Sequence, residues 1–318
     1  MSVSVIGLPA LARSTASNPS NDRSISLGLP SSVLSSLEAN QFVDITCRYG
    51  SHFDCHSPTG EKGCLIDLYH RHAMISGFAL QGDIKRFPKV DTLVRVQGVL
   101  IGRGESPSLW VQSLEPLDML SSDYCIFDTA LPHWISDKTV VDRACRLWGS
   151  LQDEDRLFVN AVFLDPRVLR GFLMVPGSCN HHHAHDGGCI EHSVESAELA
   201  ETLAASSRHL DRDLLITTAL IHDSGKALEY TRTNAGKWQM SRYGRRVGHK
   251  ISGIQLATIA MTRCPAMSGR RKESYMHMLA CSFAPSWVGL RKPDIPEATA
   301  MAGLDRSSAE AGYCPRVA

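Results

Sequence analysis

The sequence predicts an α+β, multidomain chain: a small N-terminal β-barrel followed by an all-α helical bundle. Three observations predict it. Between residues 41 and 117 short alternating apolar runs are divided by glycine and proline; after Pro116 the apolar spacing becomes helical; before residue 39 almost no apolar periodicity exists.

The lead-in, residues 1–38, carries Ser14, Ser17, Ser20, Ser24, Ser26, Ser31 and Ser32 with too few periodic apolar positions to specify a core, so a flexible segment is expected. Residues 39–120 hold five strand-length runs, at 43–49, 64–69, 74–80, 93–100 and 109–114, with glycines where tight turns and bends need them. Count and length fit a closed barrel of the oligonucleotide-binding (OB-like) kind. On such a barrel, outward rings stack on unpaired bases while cations track phosphates. Tyr69, Phe78 and Trp110 are the candidate rings, with Arg71 and Arg95, and also Arg48, Lys62, Lys85 and Arg86, supplying charge. Burial in the barrel core is the competing fate for each ring.

Residues 121–312 form the second domain, leaving 313–318 as a tail. Val140, Val141, Ala144, Leu147 and Trp148 recur at helical spacing, and Leu157, Ala161, Val162 and Leu164 continue to Pro166, which is placed to open another helix. Further amphipathic stretches run through Ile190, Val194, Ala197, Ala200 and Leu203, through Leu214 to Ile221, and through Ile251, Ile254, Ala257, Ile259 and Met261. Ala298, Met301 and Asp305 share a face at i, i+3, i+7, so a carboxylate sits on an otherwise apolar stripe. A cation would relieve the cost of burying it.

Composition bounds the function only loosely. Thirty-three basic and thirty-three acidic side chains cancel, so any nucleic-acid contact must come from a local basic surface. Ten cysteines occur without a Cys-x-x-Cys pair, which argues against a zinc ribbon and for reduced thiols. No signal-peptide pattern and no run of membrane-spanning length is present, so a cytoplasmic protein with no membrane partner is expected. A homo-oligomer is compatible with the sequence.

The chemistry concentrates between His181 and Asp305. His181-His182-His183-Ala184-His185 leads to Gly187-Gly188 and His192; His222-Asp223-Ser224-Gly225-Lys226 follows thirty residues later, then His249 and Asp305. No packing argument calls for so many imidazoles, whereas a divalent-metal centre does. Imidazole and carboxylate ligands in a helical pocket hold an ion that lowers the pKa of bound water and neutralises phosphoryl charge, a chemistry suited to phosphate-ester hydrolysis. Lys226, one turn beyond Asp223, is placed to meet the phosphate.

The order His192, His222-Asp223, His249, Asp305 resembles the HD-domain superfamily of metal-dependent phosphohydrolases. A short barrel, then Phe172-Leu173-Met174-Val175-Pro176 running into His182-His183-Ala184, Gly188 and His192, is similar to the YhaM-type 3′-to-5′ exoribonucleases, as is Pro296-Glu297-Ala298 leading to Leu304-Asp305. The resemblance implies His192, His222, Asp223 and Asp305 as ligands of one ion, His249 on a second ion that Asp223 bridges, and Lys226 with His182 or His183 on the scissile phosphate. It implies manganese as the first expectation for the cofactor, with magnesium, cobalt, iron or nickel as alternatives, one or two ions bound, and single-stranded RNA or DNA as partner.

One segment departs from the pattern. Ser282-Phe283 stand where the family places a histidine pair, and neither side chain suits an ion that prefers imidazole. Three outcomes follow from it: one firm ion, a loosely held second, or lost activity. The leading expectation is therefore a 3′-to-5′ exonuclease. The triple histidine and Gly187-Gly188-Cys189-Ile190-Glu191-His192-Ser193 are also similar to HD-type relaxase domains of mobile elements. A nucleic-acid-binding protein with a degenerate centre and a small-nucleotide phosphohydrolase complete the alternatives.

Overall fold

The computed structural model describes residues 41–56, 60–71, 73–101, 108–117, 119–178, 183–281 and 291–311. The expected flexible segment and tail lie outside these residues. The chain divides into two compact units, one ending at Met119 and taking in Asp128–Pro132, the other made of Leu120–Phe127 and the chain from His133.

The first unit is a closed five-stranded barrel: β1 (Phe42–His56), β2 (Lys62–His70), β3 (Ala73–Leu80), β4 (Leu93–Ile101) and β5 (Ser108–Pro116), joined in the order β1-β2-β3-β5-β4. That arrangement is consistent with an OB-like barrel. Closure depends on the length of β1, which pairs with β4 from Phe42 to Arg48 and with β2 from Arg48 to His56, with an irregularity between Tyr49 and Ser51 in the second pairing. Alternation sends Cys47, Tyr49, Ile66, Leu68, Val94, Val96, Leu109 and Val111 inward, where they are buried.

Arg48 departs from its expected role. It is fully buried, and its guanidinium donates to the carbonyl oxygens of Thr129 (2.9 Å) and Asp91 (2.7 Å) and to Thr129 Oγ1 (2.8 Å). A buried guanidinium so satisfied fixes the 128–132 segment on the barrel and is not offered to a ligand.

The second unit contains ten helices among the described residues: α1 (Lys138–Gly149), α2 (Asp153–Val162), α3 (Pro166–Met174), α4 (Gly188–Ser206), α5 (Arg212–Ile221), α6 (Lys226–Glu229), α7 (Arg242–Arg246), α8 (His249–Thr262), α9 (Gly269–Ala280) and α10 (Pro296–Ala311). Pro166 opens α3, with Asp165 capping it through the Arg167 amide. α5 is the central element: Leu214–Ile221 are buried on every side, and Asp211 caps the helix by accepting from the Leu214 amide at 2.9 Å.

Two features differ from the sequence reading. The unit is not wholly helical, since β6 (Tyr230–Arg232) and β7 (Trp238–Met240) form an antiparallel hairpin whose turn uses Gly236 at φ 77°. Three-residue strands are too short to show an alternation in sequence. α8 also turns a different face inward. Ser252, Gly253, Ala257, Ala260 and Met261 are buried while Ile251 and Ile259 are 46% and 43% exposed. Small side chains at i, i+4 and i+7 from Gly253 let the helix pack closely, and that outweighs the pull of two isoleucines.

A buried carboxylate ties α2 to α9. Asp155, 1% exposed, accepts from Arg271 Nε (3.1 Å), Arg271 Nη2 (2.6 Å) and Tyr275 Oη (2.5 Å). Leaving either charge alone in that interior would cost roughly 3–5 kcal/mol.

Candidate metal centre

The centre is assembled from four helices. His192 sits one turn into α4, His222 caps the C-terminus of α5, Asp223 follows it, His249 opens α8, and Asp305 lies on α10. Glycine makes two of these approaches feasible. A Cβ on Gly188 would lie 2.0 Å from the His183 carbonyl, and one on Gly225 would lie 1.9 Å from the His249 carbonyl. The second contact brings the start of α8 down onto the turn that carries Asp223.

Every implied ligand reaches one place. His192 Nε2 is 3.0 Å from Asp305 Oδ1 and 3.7 Å from Asp223 Oδ2; His222 Nε2 is 3.6 Å and 3.5 Å from the same two oxygens; His249 Nε2 is 3.7 Å from Asp223 Oδ1. Asp223 thus turns one oxygen to His192 and His222 and the other to His249. Asp305 is half exposed, on the open side of a cavity of about 530 Å³ that these residues line.

Each ring is held from behind. His192 Nδ1 is 3.0 Å from Ser308 Oγ, His222 Nδ1 is 2.8 Å from the Ala219 carbonyl, and His249 Nδ1 is 2.8 Å from Glu229 Oε2. Partners on Nδ1 leave all three Nε2 atoms facing the cavity, the arrangement that metal-ligating histidines need. Ser308 in turn donates to Glu195 Oε2 at 2.9 Å. Sequence reasoning missed Glu195, Ser308 and Glu229. The first two lie three residues beyond His192 and Asp305, one helical turn away, and that spacing was the available signal.

Burial opposes every charge here, acting to raise the pKa of Asp223 and Asp305 and to lower that of His222 and Lys226. The opposite charges outweigh it in each case. Asp223, among His222, Lys226, His249 and His192, and Asp305, between His192 and His222, are held below the ordinary carboxylate range, while Asp223 raises His222 and Lys226. A divalent ion fits this donor set. His222 Nε2 is buried without a hydrogen-bond partner, and His192 Nε2, Asp305 Oδ1 and Asp223 Oδ2 converge beside it.

Lys226 is at the centre, but its ammonium is committed: Nζ is 2.5 Å from Asp223 Oδ2 and the side chain is buried. It neutralises a ligand and does not project toward a substrate. Lys250 and Arg306, both exposed, line the same cavity and carry charge that no carboxylate among the described residues takes up. His183 is buried beside the centre, its ring 5.6 Å from that of His192, with Nδ1 3.3 Å from Glu191 Oε2 and Nε2 3.2 Å from Glu195 Oε2. His182 lies outside the described residues, as do Ser282 and Phe283. Just before Ser282, Cys281 lines the cavity, whereas His277 Nε2 on α9 accepts from the Asp294 amide at 2.9 Å.

On the barrel, the candidate rings face outward. The interior takes Ile75 and Ala79, which leaves Phe78 on the other face of β3, where it packs on Trp110 with ring centroids 5.3 Å apart. Phe78 is only 7% exposed and Trp110 half-buried. The register extends this pair into a row, Phe53, Leu65, Phe78, Trp110, Val99 and Phe42, that crosses all five strands. Phe53 and Phe42 are 53% and 56% exposed, and the sequence reading passed over both. Tyr69 also faces outward, its ring against Gly50. Arg71 is exposed in the β2–β3 turn at φ 48°. Arg95 is not a free cation: Nε and Nη2 donate to the two oxygens of Asp44 at 2.8 and 2.5 Å, holding that carboxyl down at about 2.

No helix among the described residues is long and apolar enough to cross a membrane. No curated protein and no solved structure matches the chain. Residues 189–306, which carry His192, His222, Asp223, His249 and Asp305, match the family model of the HD domain, a match that supports the metal-dependent phosphohydrolase reading for that region.

Proposed function

We propose that the chain is a phosphodiesterase acting on single-stranded RNA or DNA from the 3′ end, with the barrel gripping the strand and the HD domain cutting it. The observation that carries this reading is the convergence of His192, His222, Asp223, His249 and Asp305 on a cavity rimmed by Lys250 and Arg306. The carboxylates of Asp223 and Asp305 suit a divalent cation, and the exposed Lys250 and Arg306 beside them suit an anionic substrate. The barrel's outward row of rings supports a polymeric substrate, because stacking on unpaired bases needs such faces.

His192, His222, Asp223 and Asp305 would hold one ion, with His249 and the far oxygen of Asp223 available to a second. A divalent ion bound there supplies Lewis-acid polarisation of a phosphoryl oxygen and a water of lowered pKa. The protein's own contributions are fixed in advance. Ser308, the Ala219 carbonyl and Glu229 hold the rings in the ligating tautomer, and Lys226 offsets the charge of Asp223. Lys250 and Arg306 face the entering phosphate, and the half-exposed Asp305 marks the side from which it enters.

The test is metal analysis of purified protein together with turnover of a 3′-labelled oligonucleotide in manganese, in magnesium and without metal. Asp223→Ala should abolish both occupancy and turnover; shortening from the 5′ end, or turnover indifferent to metal, would contradict the reading. A second reading is a nucleic-acid-binding protein with a degenerate centre, favoured by Ser282-Phe283. It expects strand binding that survives His222→Ala and no turnover in manganese. Nicking of supercoiled plasmid without strand degradation would instead favour a relaxase-like activity.

A further inference from the structure

The hairpin and short helix inserted between Lys226 and His249 carry an unusual charge pattern. From Tyr230 to Lys250 the chain has six basic residues, Arg232, Lys237, Arg242, Arg245, Arg246 and Lys250, and no acidic one, in a protein whose charges cancel over the full length. All six are exposed.

The segment is anchored at defined points. Trp238 Nε1 donates to Asp186 Oδ1 at 2.6 Å, Arg232 pairs with the other Asp186 oxygen, and the Arg232 guanidinium lies 4.5 Å from the centroid of the Trp238 ring. Ser241 caps α7 through the Gly244 amide at 2.9 Å, and Gly244 is buried against Glu229, the residue that holds His249. Arg245 donates to the Met240 carbonyl at 2.6 Å, which locks α7 to the hairpin.

These anchors leave Lys237, Arg242, Arg246 and Lys250 without a carboxylate partner among the described residues. Arg242 and Arg246 stand at i, i+4 on the side of α7 opposite buried Gly244. Like charges at that spacing repel weakly, and a bound polyanion would relieve that repulsion. The run ends at His249-Lys250, on the wall of the metal cavity.

We infer that the Arg232–Lys250 segment is a second strand-binding surface, built on the HD domain itself, which leads the phosphodiester backbone of a single strand into the metal cavity past Lys250. The inference rests on the phosphodiesterase reading for its direction, but its test does not need turnover. Phosphates contact the exposed cations, and Tyr243, 39% exposed, follows Arg242 in the same segment and offers a ring to a base.

The test uses the full chain and the triple variant Lys237→Gln/Arg242→Gln/Arg246→Gln, with a fluorescein-labelled oligodeoxythymidylate followed by anisotropy between about 50 and 200 mM salt. Each phosphate contact on a single strand contributes about 0.7 to the slope of log affinity against log salt, so losing three should lower the slope by about 2. Binding at the low-salt end should weaken at least tenfold, with circular dichroism and manganese content unchanged as the check on folding. An unchanged slope, or a parent protein that does not bind the oligonucleotide, overturns the inference. So does a variant that keeps the oligonucleotide but loses sedimentation with phosphatidylserine vesicles, which would reassign the surface to a membrane. Hydrolysis of bis(p-nitrophenyl) phosphate by the parent judges the phosphodiesterase reading separately. Its failure alongside a lowered slope would leave a strand-binding surface beside a centre of different activity.

Discussion

At the centre, what matters is which nitrogen each histidine shows the cavity. An imidazole with a free Nδ1 can ligate through either nitrogen, and choosing one costs affinity. Glu229, Ser308 and the Ala219 carbonyl make that choice before any ion arrives. Loss of such an outer partner typically weakens metal binding by about 10–100-fold. Glu229→Ala should therefore weaken manganese binding within that range in competition with a chelating dye, while Glu229→Gln, whose amide oxygen can still accept from Nδ1, should retain most of the affinity. Equal losses in the two variants would mean that the negative charge of Glu229 matters and ring orientation does not. Ser308→Ala should act likewise through His192. Lys226 teaches a related lesson. Its position one turn after Asp223 is legible in the sequence, but the direction of its ammonium is not, because that depends on how deeply the fold buries the Asp223 carboxylate.

The elements carry the centre through close backbone approaches. A methyl on Gly225 would meet the His249 carbonyl, a backbone atom that cannot swing aside. Gly225→Ala should push back the start of α8 at a cost of about 1–3 kcal/mol. Metal titration should show the contribution of His249 lost, together with a fall of several degrees in melting temperature. Ion pairs flank the apolar face that α1 buries: Arg143 forms a two-pronged pair with Glu198 on α4, and Arg146 reaches Glu201 at 2.9 Å. The hydrogen bond from Arg143 holds Glu198 below its ordinary value of 4.5. A carboxyl depressed in the folded state stabilises it above the unfolded value, and that stabilisation fades as pH falls below it. The difference in melting temperature between the parent and Glu198→Gln should thus be constant near neutrality and shrink below about pH 4.5; a difference that widened in acid would contradict the sign. The five strands and the main helices were legible because alternation and 3.6-residue spacing are local signals. The exposed Ile251 and Ile259 were misread because the choice of buried face on α8 was made by partners distant in sequence. The hairpin at 230–240 escaped notice because its strands are held by Asp186 and Glu229, not by a pattern of their own.

Over the whole chain, the sequence places two chemistries in separate cores. The barrel closes on its own interior around Ile66, Leu68, Val94 and Val96, while the helical unit closes around α5. The five candidate ligands, legible from residue types and order alone, all belong to the second unit. Their convergence needed the fold, because His192 and Asp305 are 113 residues apart and meet only when α10 returns to α4. An ion that binds only the folded centre stabilises what holds it, by about 2.7 kcal/mol when its concentration is 100 times the dissociation constant. Hydrogen exchange of the full chain, with and without manganese at that ratio, should therefore show amides of α4, α5, α8 and the start of α10 slowed by up to about 100-fold. Amides of β1 to β5 should change far less. An equal slowing in the barrel strands would place the ion, or a second one, outside the centre formed by His192, His222, Asp223, His249 and Asp305. Slowing confined to α4, α5 and α10, with α8 unchanged, would mean that His249 takes no part and that a single ion is held by the other four.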